Sequence, residues 1–371
     1  MKDSVLKFAR RIKTALRRLR NELRWAMATE TFSCDPEEAL QKLAQVAPSP
    51  GSSAITDNQI APAKYDLAVI VPAYNAEKWI HACVDSILSQ ETSYTYQVIL
   101  VDDGSKDRTP EILDSYADDP GVLVIHQENK GHSGARNTAL KRVQSKYIMF
   151  VDSDDLLLPG SIEKLLKTAY TNGADIVEGS AYAFDDSGRL YDMRKKNCAH
   201  TTEGLIGTPW AKVISAQLMA HLEFPMGYLY EDTIMAFLVF RMAKKISTIE
   251  DEVYAYRIHP GSITKKHTAE LNRVHSFWIM LLMHDHMKEL GIPKNYDSYR
   301  MTMRHIVFTY RRAVLLPEEV KKLIFSCSKA FILEHYANHS CTRDEYYRLS
   351  QALKNDQYGK YCVLCETHHL K

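Results

Sequence analysis

No stretch of this chain approaches the roughly 20 consecutive apolar residues that cross a bilayer. No membrane-spanning segment is therefore expected. The N-terminus is basic, but it has neither a continuous apolar core nor a small-residue cleavage site, so no secretory leader is expected either. A surplus of charge is also missing: 47 Lys and Arg face 46 Asp and Glu, a formal net of +1. That balance argues against nucleic acid as a partner. Cysteine is sparse and scattered, at 34, 83, 198, 327, 341, 362 and 365. An odd, unpatterned set without an export signal suggests a reducing compartment, and the expected location is the cytoplasm. Cys362-Val-Leu-Cys365 with His368 and His369 has no second cysteine pair, so zinc is not expected there.

What the chain does have is local contrast. Over residues 3–27, Val5, Phe8, Ile12, Leu16, Leu19 and Leu23 recur at helical steps. The positions between them are rich in Lys and Arg. Such a helix suits an anionic membrane surface, such as the inner face of a cytoplasmic membrane, or docking on the protein's own body or a partner. Residues 47–63 have the Pro, Ser and Ala content of a linker. The organisation expected is a basic helix over 1–30, a linker over 31–64, a catalytic domain over 65–267 and a helical region over 268–371. A homo-oligomer remains open.

Within 65–267 the texture is α/β. The runs 67–71, 98–101, 122–125 and 147–151 are short and wholly apolar, and helical spacing follows each. Strands alternating with helices predict a mostly parallel sheet flanked by helices. Ligands of such sheets bind beyond the carboxyl ends of the strands. Those ends carry Pro72-Ala-Tyr-Asn75, Asp102-Asp-Gly-Ser105 and Asp152-Ser-Asp-Asp155. Two carboxylates at i and i+2 can bracket a hard divalent cation, Mg2+ or Mn2+. Equally, Asp154 or Asp155 could cap the helix near Pro159, and Asp102 or Asp103 could serve an Asx turn. His81 and His132 read as surface or packing groups, Trp210 as core, and Lys321 and Lys322 as a solvated helix face.

Taken in order, seven blocks resemble a family-2 glycosyltransferase with the GT-A, Rossmann-like fold. They are Val69–Asn75, Val101–Thr109, Asn129–Asn137, Phe150–Asp155, Trp210-Ala-Lys212, Tyr230–Thr233 and Tyr254–Thr264. The last resembles the family's basic loop. The resemblance implies a metal-dependent inverting transfer of a hexosyl or N-acetylhexosaminyl group from a nucleotide sugar, with UDP as the expected nucleotide. The acceptor would be a hydroxyl of a glycan or lipid-linked acceptor in bacterial surface polysaccharide or glycolipid synthesis. It also implies roles. Pro72, Ala73 and Tyr74 would line the nucleotide pocket, and Asp102, with Asp103, would read the uracil. Arg136 would reach the nucleotide or its phosphates. Asp152 would touch the ribose or the metal, and Asp154, in the Asp-x-Asp (DXD) motif, would hold the metal. Asp232 would be the catalytic base, with Glu231 beside it. Arg257, His259 and Ser262 would close over the diphosphate. Two alternatives compete: a nucleotidyltransferase that makes nucleotide sugars, and a non-catalytic nucleotide-sugar-binding protein. The first would favour a Gly-rich basic loop after the first strand, and Pro72-Ala-Tyr-Asn75 has neither Gly nor Lys.

Overall fold

The computed structural model describes residues 2–193, 201–261, 270–339 and 346–368, with the side chains of 2–12, 192, 193 and 203 outside the description. Ser262 lies outside the described residues, as do Cys198, Cys341 and His369. The chain forms two compact units, one of residues 1–49, 267–281 and 293–371, the other of 50–266 and 282–292.

The first unit opens with α1 (Lys2–Met27) and α2 (Pro36–Val46). The second carries β1 (Tyr65–Ala73), α3 (Ile80–Leu88), β2 (Tyr96–Asp102), α4 (Thr109–Asp114), β3 (Val122–His126), α5 (Gly131–Leu140) and β4 (Ser145–Phe150). There follow β5 (Leu156–Leu157), α6 (Ser161–Asn172), β6 (Ile176–Asp185), β7 (Leu190–Met193), β8 (Lys212–Ser215) and α7 (Ala216–Met219). A π-helical turn, Met235–Val239, runs into α8 (Phe240–Met242), and β9 (Ile246–Ile258) ends the strands. The remainder is helical: α9 (His275–Glu289), α10 (Tyr296–Arg312), α11 (Glu318–Tyr336), α12 (Tyr347–Lys354) and α13 (Tyr358–Thr367).

The sheet order is β3-β2-β1-β4-β8-β6-β9-β5, with β7 on β6. The four strands β3, β2, β1 and β4 are parallel neighbours, so their carboxyl ends share one rim. Their all-apolar runs follow from burial on both faces: residues 67–71 of β1 are fully inaccessible. Beyond β4 the sheet turns mixed, with β8 antiparallel to β4 and β6, and β6 parallel to β9.

Two expectations need correction. The stretch 31–64 is not all linker. Asp35 accepts hydrogen bonds from the amides of Glu37 and Glu38, Pro36 stands at the first turn, and Ala39 and Leu43 are buried, so α2 forms. Further on, Glu223 N donates to Ala54 O (2.9 Å) and His221 N to Asn58 O (3.1 Å), which straps 54–58 to its own unit. Lys321 and Lys322 are not freely solvated: Lys321 pairs with Glu318 at 2.6 Å, and Lys322 pairs with Glu30 at 2.7 Å and lies over the Phe32 and Tyr358 rings. Trp210 does belong to the core, stacked on Tyr254 at 4.9 Å.

Candidate active site

At the rim, the loops after β1 and β2 lock into each other. Asn75 takes a positive φ of 49°, which Asn tolerates better than most residues. Its amide donates to Ser105 Oγ (3.0 Å), and its side-chain oxygen accepts from Lys106 N (2.8 Å). Ala76 N donates to Thr109 Oγ1 (2.8 Å), and Asp107 accepts from the amides of Glu77 and Thr109. Pro72 and Ala73 are therefore buried strand residues, whereas Tyr74 is half exposed.

Asp102 and Asp103 are both 3% exposed, yet they do different work. Asp102 accepts from Ser105 N (3.1 Å) and faces His126 Nδ1 at 3.2 Å. Asp103 accepts from Gln127 Nε2 (2.6 Å) and Lys130 N (2.8 Å), ordering the strand-to-helix segment 127–130. Gly104 has a φ of +73°, and a Cβ there would stand 2.9 Å from Asn129 N. These features shape a recess of about 460 Å³ lined by Tyr74, Gly104, Lys106, His126, Gln127 and neighbours. That is room for a base or ribose. The His126 imidazole is held above its usual range, chiefly by its hydrogen bond to Asp114 and then by Asp102.

The block Asn129–Asn137 becomes intelligible on α5. Residues four apart share a helix face. Ser133 and Asn137 form one such pair: Ser133 Oγ donates to Pro225 O (3.0 Å), and Asn137 bonds both the carbonyl and the amide of Phe224 at 2.8 Å. They fix the segment leading to Glu231. His132 and Arg136 form the next pair, and both meet carboxylates. Arg136 Nη1 donates to Glu231 Oε1 (2.9 Å) and Nη2 to Asp152 Oδ1 (3.1 Å). Its guanidinium lies against the Phe150 and Phe224 rings. His132 stands 3.6 Å from Asp152 and 3.4 Å from Glu231.

Arg136 was expected to reach the nucleotide or its phosphates. It is instead 2% exposed, and its two terminal nitrogens are taken by carboxylates, so it aligns the residues around it. His132, expected to be a surface or packing group, belongs to the cluster. Its signal was its place one turn before Arg136. Burial and the Arg136 charge both push the His132 pKa down. Asp152 and Glu231 push it up and prevail, leaving it above the usual 6.5. Burial raises the two carboxylates, but His132 and Arg136 outweigh it: Asp152 falls to about 2, and Glu231 is lowered. The cluster thus biases Asp152 and Glu231 toward their ionised forms and His132 toward its protonated form.

The Asp152–Asp155 turn divides its carboxylates. Asp155 is fully buried and accepts from Tyr254 Oη (2.7 Å) and Arg257 N (2.7 Å). Burial, together with the charges of Asp152 and Asp154, holds it well above the usual carboxylate range. It is an anchor, and neither it nor Asp154 caps α6, whose N-cap is Gly160. Asp154 Oδ2 meets His259 Nε2 at 2.8 Å. Because His259 Nδ1 accepts from Gly261 N (3.2 Å), the network assigns the proton to Nε2, and His259 donates to Asp154. The ring packs on Trp79 at 4.1 Å. Arg257 Nε donates to Asp154 O (2.8 Å), while Nη1 bonds Asp186 at 3.2 Å. Tyr254–Ile258 is not a loop as expected: it pairs in register with β6 inside β9, and only His259 onward leaves the sheet.

Asp232 follows Glu231 in the turn that opens the π-helix, where its carbonyl accepts from Met235 N (2.9 Å). It is partly buried. Below it, Lys212 and Glu178 form a fully buried pair at 3.0 Å, and Lys212 also donates to the carbonyls of Thr208 and Trp210. The structure thus gathers Asp152, Glu231, Arg136 and His132 in one network. Asp154, Arg257 and His259 form a second on the same turn. Asp102 and Asp103 stand at the end of β2; β2 and β4 flank β1.

Carboxylate oxygens are the ligand type that suits Mg2+ or Mn2+, and Asp152 and Asp154 are the residues that would hold such an ion. Asp154 Oδ1 accepts no hydrogen bond from a described residue. Among the described residues no group of three His, Cys, Asp or Glu gathers around a common point, so the protein would supply only part of a coordination shell.

The family model for glycosyl transferase family 2 matches residues 68–237. Glycosyltransferase GlyA of Streptococcus pneumoniae serotype 4 is 34% identical over 220 residues, which cover 54% of this chain but 31% of GlyA. The chain thus spans under a third of that relative. Glycosyltransferase GlyG of the same organism is 33% identical over 221 residues, 54% of this chain and 73% of GlyG. Among solved structures, S. aureus TarS 1–349 in complex with UDP-GlcNAc superposes with a TM-score of 0.64 at 19% identity, covering 81% of this chain and 91% of that one. That likeness establishes the GT-A architecture. On the family match and the identity to GlyG, the chain belongs to glycosyl transferase family 2.

Proposed function

We propose that the protein is a metal-dependent, inverting glycosyltransferase. It moves a hexosyl or N-acetylhexosaminyl group from a UDP-sugar to a hydroxyl of a glycan or lipid-linked acceptor, in the making of a bacterial surface polysaccharide or glycolipid. One observation carries this: Arg136 ties Asp152, at the rim of β4, to Glu231, next to Asp232. A donor-side carboxylate and an acceptor-side acid are thereby fixed to one guanidinium.

In this scheme uridine occupies the recess beside Tyr74 and His126, and Asp102 accepts the uracil N–H. UDP-GlcNAc in TarS supports the choice of nucleotide. A divalent cation held by Asp152 and Asp154 would neutralise charge growing on the diphosphate. Arg257 and His259 stand at the same turn and add positive charge and a hydrogen-bond donor there. Glu231 is committed to Arg136 and His132 and is held as a poor base, so Asp232 is the group that takes the acceptor proton. Attack from the face opposite the leaving group inverts the anomeric carbon.

Thermal melting with a panel of nucleotides tests this. UDP with Mn2+ should raise the melting temperature, and UDP without metal should raise it less. Equal response to every nucleotide, metal or not, would contradict the proposal.

A further inference from the structure

Helix α1 packs on its own unit with the wrong face for an ordinary amphipathic helix. The docked side is polar and aromatic. Trp25 lies against Arg348 at 5.0 Å and Lys360 at 4.7 Å, Glu22 pairs with Arg348 at 2.8 Å, and Arg24 pairs with Glu366. The apolar stripe is left outside: Leu16 is 61% exposed, Leu19 58%, Leu23 55% and Met27 79%. At 3.6 residues per turn this stripe sits about half a turn from Trp25. The protein's own body does not cover it.

Beside the stripe runs a basic row, Lys13, Arg17, Arg20 and Arg24. Arg17, Arg20 and Arg24 line a recess of about 440 Å³ with Arg311 and the end of α13. Among the described residues, Arg17 and Arg20 meet no carboxylate. A second copy seated antiparallel, stripe to stripe, would set these arginine rows against each other, which like charge opposes. An anionic surface complements them. Among the described residues no helix is long and apolar enough to cross a membrane, so contact would lie along the surface.

We infer that α1 is a membrane-docking helix that seats its leucine stripe in the headgroup boundary of an anionic phospholipid bilayer and presents Arg17 and Arg20 to lipid phosphates. This does not rest on the proposed activity, because binding is read without donor or acceptor.

The test is co-sedimentation of the full chain with vesicles of phosphatidylcholine alone or mixed with phosphatidylglycerol. The wild type should bind the mixed vesicles, release on adding salt, and ignore the neutral ones. Leu16→Ser/Leu19→Ser/Leu23→Ser and, separately, Arg17→Gln/Arg20→Gln should each weaken binding at least about tenfold, with an unchanged melting temperature. Equal binding to neutral vesicles, or serine variants that bind like the wild type, would overturn the inference. So would light scattering that shows the serine substitutions splitting a dimer while vesicle binding persists.

Discussion

Arg136 Nη1 lies 2.9 Å from Glu231 Oε1, joining the first turns of α5 to a segment 95 positions later in the chain. The same guanidinium holds Asp152 at 3.1 Å. One buried cation therefore sets the spacing between the two sides of the proposed reaction.

Removing that cation leaves two mostly buried carboxylates facing each other. Arg136→Ala should cost about 3–5 kcal/mol of stability, read by urea unfolding. Arg136→Lys should recover only part of this, because an ammonium cannot reproduce the fork that reaches two acceptors. A loss below about 1 kcal/mol for the alanine variant would mean the cluster is not held through Arg136.

His132 gives the cluster a pH signature. Its folded pKa is raised, so its contribution is complete below the unfolded value of 6.5 and is lost as pH rises through the higher folded value. The stability difference between wild type and His132→Gln should therefore be largest in mild acid and shrink toward alkaline pH. An NMR titration should place the His132 midpoint above 6.5. A midpoint at or below it would remove His132 from the charged network.

Gly104 stands where a Cβ would press on Asn129 N at 2.9 Å, in a left-handed backbone conformation. Gly104→Ala should narrow the recess and strain the turn by about 1–2 kcal/mol. UDP affinity by calorimetry should fall at least about tenfold, equivalent to about 1.4 kcal/mol. Unchanged affinity would place the nucleotide elsewhere.

The half of the sheet that builds the rim was legible in the sequence, because strands buried on both faces read as unbroken apolar runs, as in 67–71 and 98–101. The acids at their ends stood out for the same reason. The mixed half was harder. In β9, residues 249–252 are more exposed than their neighbours, which breaks the run, and Tyr254–Ile258 carries polar side chains that read as a loop. Helix α2 was masked by linker-like composition after it, although Asp35-Pro36 marked its start. His132 and the true place of Arg136 depended on contacts with Glu231, which no local pattern displays. Asp155 looked like a third rim acid, and only its burial beneath Tyr254 separates it from Asp152 and Asp154.

In the proposed reaction, sugar leaves a nucleotide at this rim while Asp232 takes the acceptor proton. Release of UDP from a panel of UDP-sugars, with Mn2+ and a bacterial glycan or glycolipid fraction as acceptor, measures it directly in wild type and Asp232→Asn. Turnover should be seen with the wild type and fall at least about a hundredfold in the variant, which keeps its affinity for UDP. An Asp232→Asn protein that releases UDP as fast as the wild type would exclude Asp232 as the base.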